Sequence, residues 1–299
     1  MKRAVQADIG LALVAIIWGT GYIAISWALD GSLPPLYLLA VRFIIAFALL
    51  ALILNKKLRA ITKEMLIAGL VSGFLLFAAF ALQTLGLLYT SVSNNAFITA
   101  VNVVIVPFLY WILSRQRPDL FSFSACFITL AGIALLSLDG VNAVNKGDLL
   151  TLGCAFLFAC HIVAIGHYTR KHDPALLTLL QLGFAGLFST AGSWVLESPP
   201  ETISIKAAGS VLYLAVFSTL ICFLLQTICQ KYSTSTKTAI ILCSEALFGS
   251  LFAVMLLSEK LTVQMVMGAT LIFVAVIIAE TKLSFLTPFY RDRQEGKDA

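Results

Sequence analysis

The sequence predicts an all-α integral membrane protein: ten transmembrane helices forming two inverted five-helix repeats, with the N- and C-termini cytoplasmic. Three observations carry this. Apolar runs of bilayer-spanning length recur along the whole chain, Lys and Arg collect in alternate connections, and the second half echoes the first in order and spacing.

Of the 299 residues, 60% are hydrophobic and only 12% charged, against roughly 25% charged in an average soluble domain. A soluble globule of this length would lack the polar side chains to cover its surface. A membrane span, by contrast, needs about 20 mostly apolar residues. The net charge of +5 would raise nucleic acid as a partner in a soluble protein. Here the basic residues sit in short connections, so topology explains them and no nucleic acid is expected. Cys126, Cys154, Cys160, Cys222, Cys229 and Cys243 all fall inside apolar segments and form no CxxC pair. They read as polarizable packing residues rather than disulfide or metal ligands.

The elements follow in order. Segment one (8–29) is too long for the h-region of a signal peptide and reads as an uncleaved span ending at Asp30-Gly31. Segment two (33–54) closes at Asn55-Lys56-Lys57. Segments three (65–88) and four (93–113) are parted only by the polar patch from Tyr89 to Asn95, and the stretch from Arg115 to Asp119 closes the fourth. Segment five (120–138) stops at Asp139-Gly140, six (148–168) before Arg170 to Pro174, and seven (174–195) at Glu197 to Pro200. Segment eight (207–229) stops at Lys231, nine (237–257) at Ser258-Glu259-Lys260, and ten covers 263–281. Residues 282–299 read as a disordered cytoplasmic tail.

With the N-terminus inside, the inner segments carry sixteen Lys and Arg and the outer connections only Lys146, Lys206 and Lys260. That bias is the positive-inside signal. Merging segments three and four would scatter it.

The halves, 8–138 and 147–281, align at a spacing near 140 residues. Gln83 to Tyr89 matches Gln226 to Tyr232 without gaps, and the same register pairs Ala96 with Ala239, Ile98 with Ile241 and Asn102 with Glu245. Asp8 opens segment one as Asp148 opens segment six. Five spans per half is an odd number, so the second half enters the membrane from the opposite side. Inverted repeats place a substrate near the midplane between halves that rock to alternate access.

Trp18-Gly19-Thr20-Gly21-Tyr22 stands in segment one and Ala40-Val41-Arg42-Phe43 in segment two, and Pro107-Phe108 through Arg117, closing segment four, is matched by Ser244-Glu245-Ala246-Leu247-Phe248 through Thr262, closing segment nine. On these residues the chain resembles the ten-helix branch of the drug/metabolite transporter superfamily, with two EamA repeats covering nearly its whole length. Two departures stand out: Ala246 follows Glu245 where relatives often carry Pro, and Gln116 stands where Glu is frequent. The resemblance implies a secondary transporter of amino acids or related small metabolites, usually an exporter, in the plasma (cell) membrane.

Ionisable groups within a span are costly and are functional candidates by default. Arg42 lies midway along segment two, and Glu245 about eight residues, roughly 12 Å, into segment nine. At overlapping depths they can pair with each other as a structural or coupling pair. Alternatively Glu245 faces a cavity, where it can bind a substrate ammonium or carry a proton. Trp18 and Tyr22 share one face of their helix and are read as cavity lining, with Gly19 and Gly21 permitting close helix approach. Gln83, Gln226 and Asn102 occupy positions related by the repeat and suit either a central site or interhelical hydrogen bonds. His161, midway along segment six, is a weaker candidate of either kind. Asn94 and Asn95 are read as caps at the start of segment four.

GxxxxGK[ST], HExxH and GxSxG are missing from the sequence, so ATP, a metal and hydrolytic chemistry have no motif here. No cofactor and no enzymatic activity are expected. The reading is a secondary transporter whose partners are a small metabolite, the lipid bilayer and, if coupled, protons. An uncoupled uniporter, or a membrane sensor or accessory subunit that binds a ligand without moving it, are the alternatives.

Overall fold

The computed structural model describes residues 2–114, 120–137 and 145–281. Arg115 to Asp119, Asp139-Gly140 and the 282–299 tail lie outside the described residues. The helices are α1 (Lys2–Asp30), α2 (Pro35–Ile53), α3 (Lys63–Gly86), α4 (Val92–Thr99), α5 (Asn102–Ser114), α6 (Leu120–Ser137), α7 (Lys146–Tyr168) and α8 (Pro174–Leu196). They continue with α9 (Ile205–Tyr213), a π-helical stretch Leu214–Ile221, α10 (Cys222–Gln230), α11 (Ser235–Cys243), α12 (Glu245–Leu257) and α13 (Val263–Thr281). A short 3₁₀ turn, Asn55–Ala60, joins α2 to α3.

Among the described residues, eight helical runs are long and apolar enough to cross a membrane, and Val263–Ala275 is a shorter apolar one. Two of the eight are compound: 92–112 contains the α4–α5 break, and 205–230 contains the π stretch. The helices begin where the local chemistry supplies a cap. Thr62, Ser91, Asn145, Asp173, Ser204 and Thr234 each turn a side-chain oxygen onto the first free backbone N–H groups of the helix that follows. At the start of α4 the cap is Ser91, whose hydroxyl accepts from Asn94 N at 3.1 Å. Asn95 is buried instead, and its amide donates to Gln83 O and to Thr151 Oγ1, joining α4 to α3 and α7. The expected capping role of these two asparagines is therefore replaced: an earlier serine reaches the free N–H first.

Large apolar side chains face outward around the bundle, Ile112, Leu120, Phe127, Trp194, Val195 and Ile205 among them. Water would not tolerate so continuous an apolar surface; hydrocarbon does. Among the described residues the interior holds two large apolar clusters and two smaller ones. One large cluster is built around Phe43, Phe80, Leu179 and Phe223, the other around Ile98, Val103, Ile162 and Ala246.

The packing pairs are related by exchange of the halves. α2 packs on α8 and α6 on α13, and α4 lies against α12 as α11 lies against α5. α3 lies against α7 as α9 and α10 lie against α1, and α5 lies against α7 as α12 lies against α1. The approach of α12 to α1 depends on Gly19, where an added Cβ would sit 2.5 Å from Phe248 Cβ and 3.0 Å from Gly249 N. Only a side chain of one hydrogen fits there.

Candidate functional site

Two broken helices position the centre. Between α4 and α5 the ladder tightens at Ala100-Val101, where Val103 N bonds Ala100 O and Val104 N bonds Val101 O. Between α11 and α12 it tightens at Ser244, where Ser244 N bonds Ile241 O and Leu247 N bonds Ser244 O. Asn102 and Glu245 are the first residues of the helices that follow. The α11–α12 break forms with Ala246, not Pro, after the acid, so hydrogen-bond rearrangement alone interrupts the helix. Each break aims the positive end of a half-helix dipole at the bundle centre.

A cavity of about 40 Å³ lies there, room for a few waters and no more. Its wall includes all seven residues singled out as binding candidates: Trp18, Tyr22, Gln83, Asn102, His161, Gln226 and Glu245. Phe80, Phe158, Phe223, Ile25, Leu242 and Ser218 supply most of the remainder. The wall is thus mostly aromatic and apolar, with a small set of polar groups, as small-molecule sites are built.

Glu245, buried in the wall, meets the Tyr22 hydroxyl at 3.4 Å. Gln83 Nε2 donates to that hydroxyl at 3.1 Å and to Thr99 Oγ1 at 3.2 Å. A chain therefore runs from α3 through α1 to the acid on α12. Trp18 Nε1 donates to the Ser218 carbonyl at 2.8 Å and its ring packs on Phe223. His161 Nε2 lies 2.8 Å from Gln181 Oε1, and Gln181 Nε2 donates onward to Thr227 Oγ1. Gln226 Nε2 donates to Gln230 Oε1, while Gln226 Oε1 and Asn102 Oδ1 are buried with no protein partner.

Arg42 is fully buried but does not meet Glu245. Its Nε donates to Thr219 Oγ1 at 2.8 Å and its Nη2 to Ser218 Oγ at 3.3 Å. The guanidinium carbon stands 4.6 Å over the Phe80 ring and 5.5 Å from that of Phe43. Among the described residues the ion pairs are Lys57–Asp173 and Lys237–Asp8. Of the two readings open for these residues, the structure shows no Arg42–Glu245 pair: similar depth along two helices does not turn their faces toward each other.

Sequence reasoning passed over Ser218, Thr219 and Gln181. Each was marked by a simple signal, a polar side chain midway along an apolar run. It also assigned no role to Glu197 and Glu259. Glu197 accepts from Leu36 N and Tyr37 N at 2.7 and 2.8 Å, which caps α2 from the far end of α8. Glu259 faces Ser93 N at the start of α4, at 3.4 Å from each oxygen.

A multi-pass apolar bundle with a central, mostly apolar cavity and polar groups at paired helix breaks is the build of a membrane transporter. The EamA-like transporter family matches residues 5–138 and 145–281. An uncharacterized transporter of Archaeoglobus fulgidus is 34% identical over 281 residues, covering 94% of this chain and 88% of that protein. The chain belongs to the EamA-like transporter family. It is also 25% identical to a probable amino-acid metabolite efflux pump of Escherichia coli, over 89% of this chain and 92% of that one. A probable amino-acid metabolite efflux pump of Salmonella typhimurium is 26% identical, with 89% and 92% covered. A crystal structure superposes with a TM-score of 0.70 at 17% identity, covering 94% of this chain and 99% of that one, a likeness of fold.

Proposed function

We propose that this transporter exports an amino acid or a related small metabolite across the cell membrane by alternating access, exchanging it against protons at Glu245. The architecture proposed is ten spans in two inverted five-helix repeats, 8–138 and 147–281, with both termini cytoplasmic. Cross-half contacts support the inversion. Asp8, near the start of α1, pairs with Lys237 at the start of α11, while Asp148, near the start of α7, accepts from Thr90 beside the start of α4. Following the chain, α1 runs from the Asp8 end to the Glu197 end, and α7 begins at the latter. The two repeats then start on opposite faces.

The observation that carries the reading is Glu245 itself. It is the one carboxylate on the cavity wall among the described residues, at a half-helix start, and its side-chain partner is a hydroxyl and not a cation. An acid so placed can hold a substrate ammonium in one step and a proton in another. The aromatic wall favours an ammonium further, because ring faces attract cations. At about 40 Å³ the cavity is contracted, so loading requires the surrounding helices to part on one side.

The test is flux in proteoliposomes of labelled amino acids, with and without an imposed pH gradient, for the wild type and Glu245→Gln. Gradient-accelerated flux lost in folded Glu245→Gln supports the reading. Flux indifferent to both gradient and mutation would leave an uncoupled uniporter that does not use this acid.

A further inference from the structure

The wall of the cavity hides a second charge. Arg42 is 0% exposed, and a buried cation is normally matched by a carboxylate. Here its side-chain hydrogen bonds run to two neutral hydroxyls, Ser218 and Thr219, and Nη1 is buried with no protein partner. Glu245 is the mirror case, a buried acid facing a tyrosine. Each of the two is uncompensated, and they do not compensate each other.

Both belong to the same cavity. Glu245 lines it directly. Arg42 stands one layer behind, and two of its neighbours, Ser218 and Phe80, are on the wall. The Phe80 ring covers the guanidinium at 4.6 Å to its centroid, a stacking that partly offsets the missing anion. The π-helical stretch Leu214–Ile221 turns Ser218 and Thr219 together toward Arg42. Such bulges are frequent at functional sites. A fork-shaped donor with one free arm, stacked under a ring of the cavity wall, suits a carboxylate, which a guanidinium can grip through two parallel bonds.

We infer that Arg42 is the binding site for the carboxylate of a dipolar substrate whose ammonium sits at Glu245, with Phe80 as the lid that turns aside to admit it. This rests on the proposed function and narrows it. The cargo is a net-neutral amino acid with an apolar side chain, matched to Trp18, Phe158 and Phe223. Amines without a carboxylate leave the arginine unpaired and are poor cargo.

The experiment compares leucine with leucinamide, which keeps the amine and loses the anionic end, by counterflow in proteoliposomes of wild type, Arg42→Gln and Arg42→Lys. The wild type is expected to prefer leucine by roughly 10- to 100-fold, the range of a charge-assisted, two-pronged bond. Arg42→Gln should bring the two within about threefold, and Arg42→Lys, a point charge without the fork, should fall between them. Folded Arg42→Gln that keeps the full preference would overturn the inference and leave Arg42 a packing residue. Should the variants not fold, the wild type decides, through an arginine-directed dicarbonyl reagent with the modified site located by mass spectrometry. Protection of Arg42 by leucine but not leucinamide supports the site. Equal protection by both, or no reaction at Arg42 during turnover, overturns it. Absence of leucine flux in wild type strikes at the proposed function itself, a result separate from a lost preference, and removes this inference with it.

Discussion

Asn102 opens α5 and Glu245 opens α12, each just past a break in its helix, and the repeat register places them at equivalent positions. Both line the same cavity. Their chemistry differs. The first half offers an amide whose oxygen has no protein partner, the second an acid linked to Tyr22 and, through it, to Gln83. A backbone device used twice therefore carries two different groups. The pairing shows that the break is architecture, set by half-helices meeting at the centre, whereas the charge is specific to one half. The outer parts of the bundle repeat the lesson. The start of α2 is held by Glu197 through two short bonds to backbone N–H, while the related start of α8 is capped by its own Asp173, which also meets Lys57 at 3.5 Å in solvent.

The sharpest test of the first contrast is Glu245→Gln, which makes both breaks amides. Flux should fall by at least roughly 100-fold, since a charge-assisted contact and the coupling proton are lost together; uptake of labelled substrate by proteoliposomes measures it. Asn102→Leu should reduce flux by about 10-fold while leaving thermal stability in detergent unchanged or raised, because the buried amide oxygen it removes is unpaired in the protein. An equal loss of flux and stability would make Asn102 a structural residue. Glu197→Ala uncaps α2 and should cost about 1 kcal/mol, with Leu36 and Tyr37 exchanging their amide hydrogens faster by mass spectrometry.

The smallest effect is expected at the related end. Lys57→Ala should change stability by less than about 1 kcal/mol, because the pair is exposed, at 57% and 39% for the two side chains. Asp173 matters there mainly as a cap. Burial tends to raise its carboxyl, but the N–H groups of Leu176 and Ala175, with Lys57, outweigh that and hold it below the ordinary carboxylate value. The carboxylate is thus ionised, and capping, at neutral pH. Its contribution should fade only as pH falls through that depressed value, below the ordinary figure of about 3.9. Hydrogen exchange at Ala175 and Leu176 across an acid titration would follow it.

Much of the candidate cavity's polar lining was legible in the chain. Polar side chains set midway along apolar runs stand out because each is costly in hydrocarbon, and Trp18, Tyr22, Gln83, Asn102, His161, Gln226 and Glu245 all meet on one wall. The partners of those residues were not legible. Gln181 on His161, Thr219 on Arg42, and Glu197 on the start of α2 join positions far apart in the chain. Nothing local encodes those meetings. The π-helical turn at Leu214–Ile221 likewise has no proline or glycine to announce it.

By itself, then, the sequence determined the class, the main apolar helical runs, and the position of each polar group along its helix. Those follow from transfer free energies and from a fixed rise per residue, which act on each segment alone. Only the tertiary structure decided which way each helix turns its face. Rotation about a helix axis is set by how side chains interlock with neighbours, by Gly19 against Phe248 and Phe80 against Arg42. For that reason Arg42 and Glu245 turn to different partners, Arg42 to Ser218 and Thr219 and Glu245 to Tyr22.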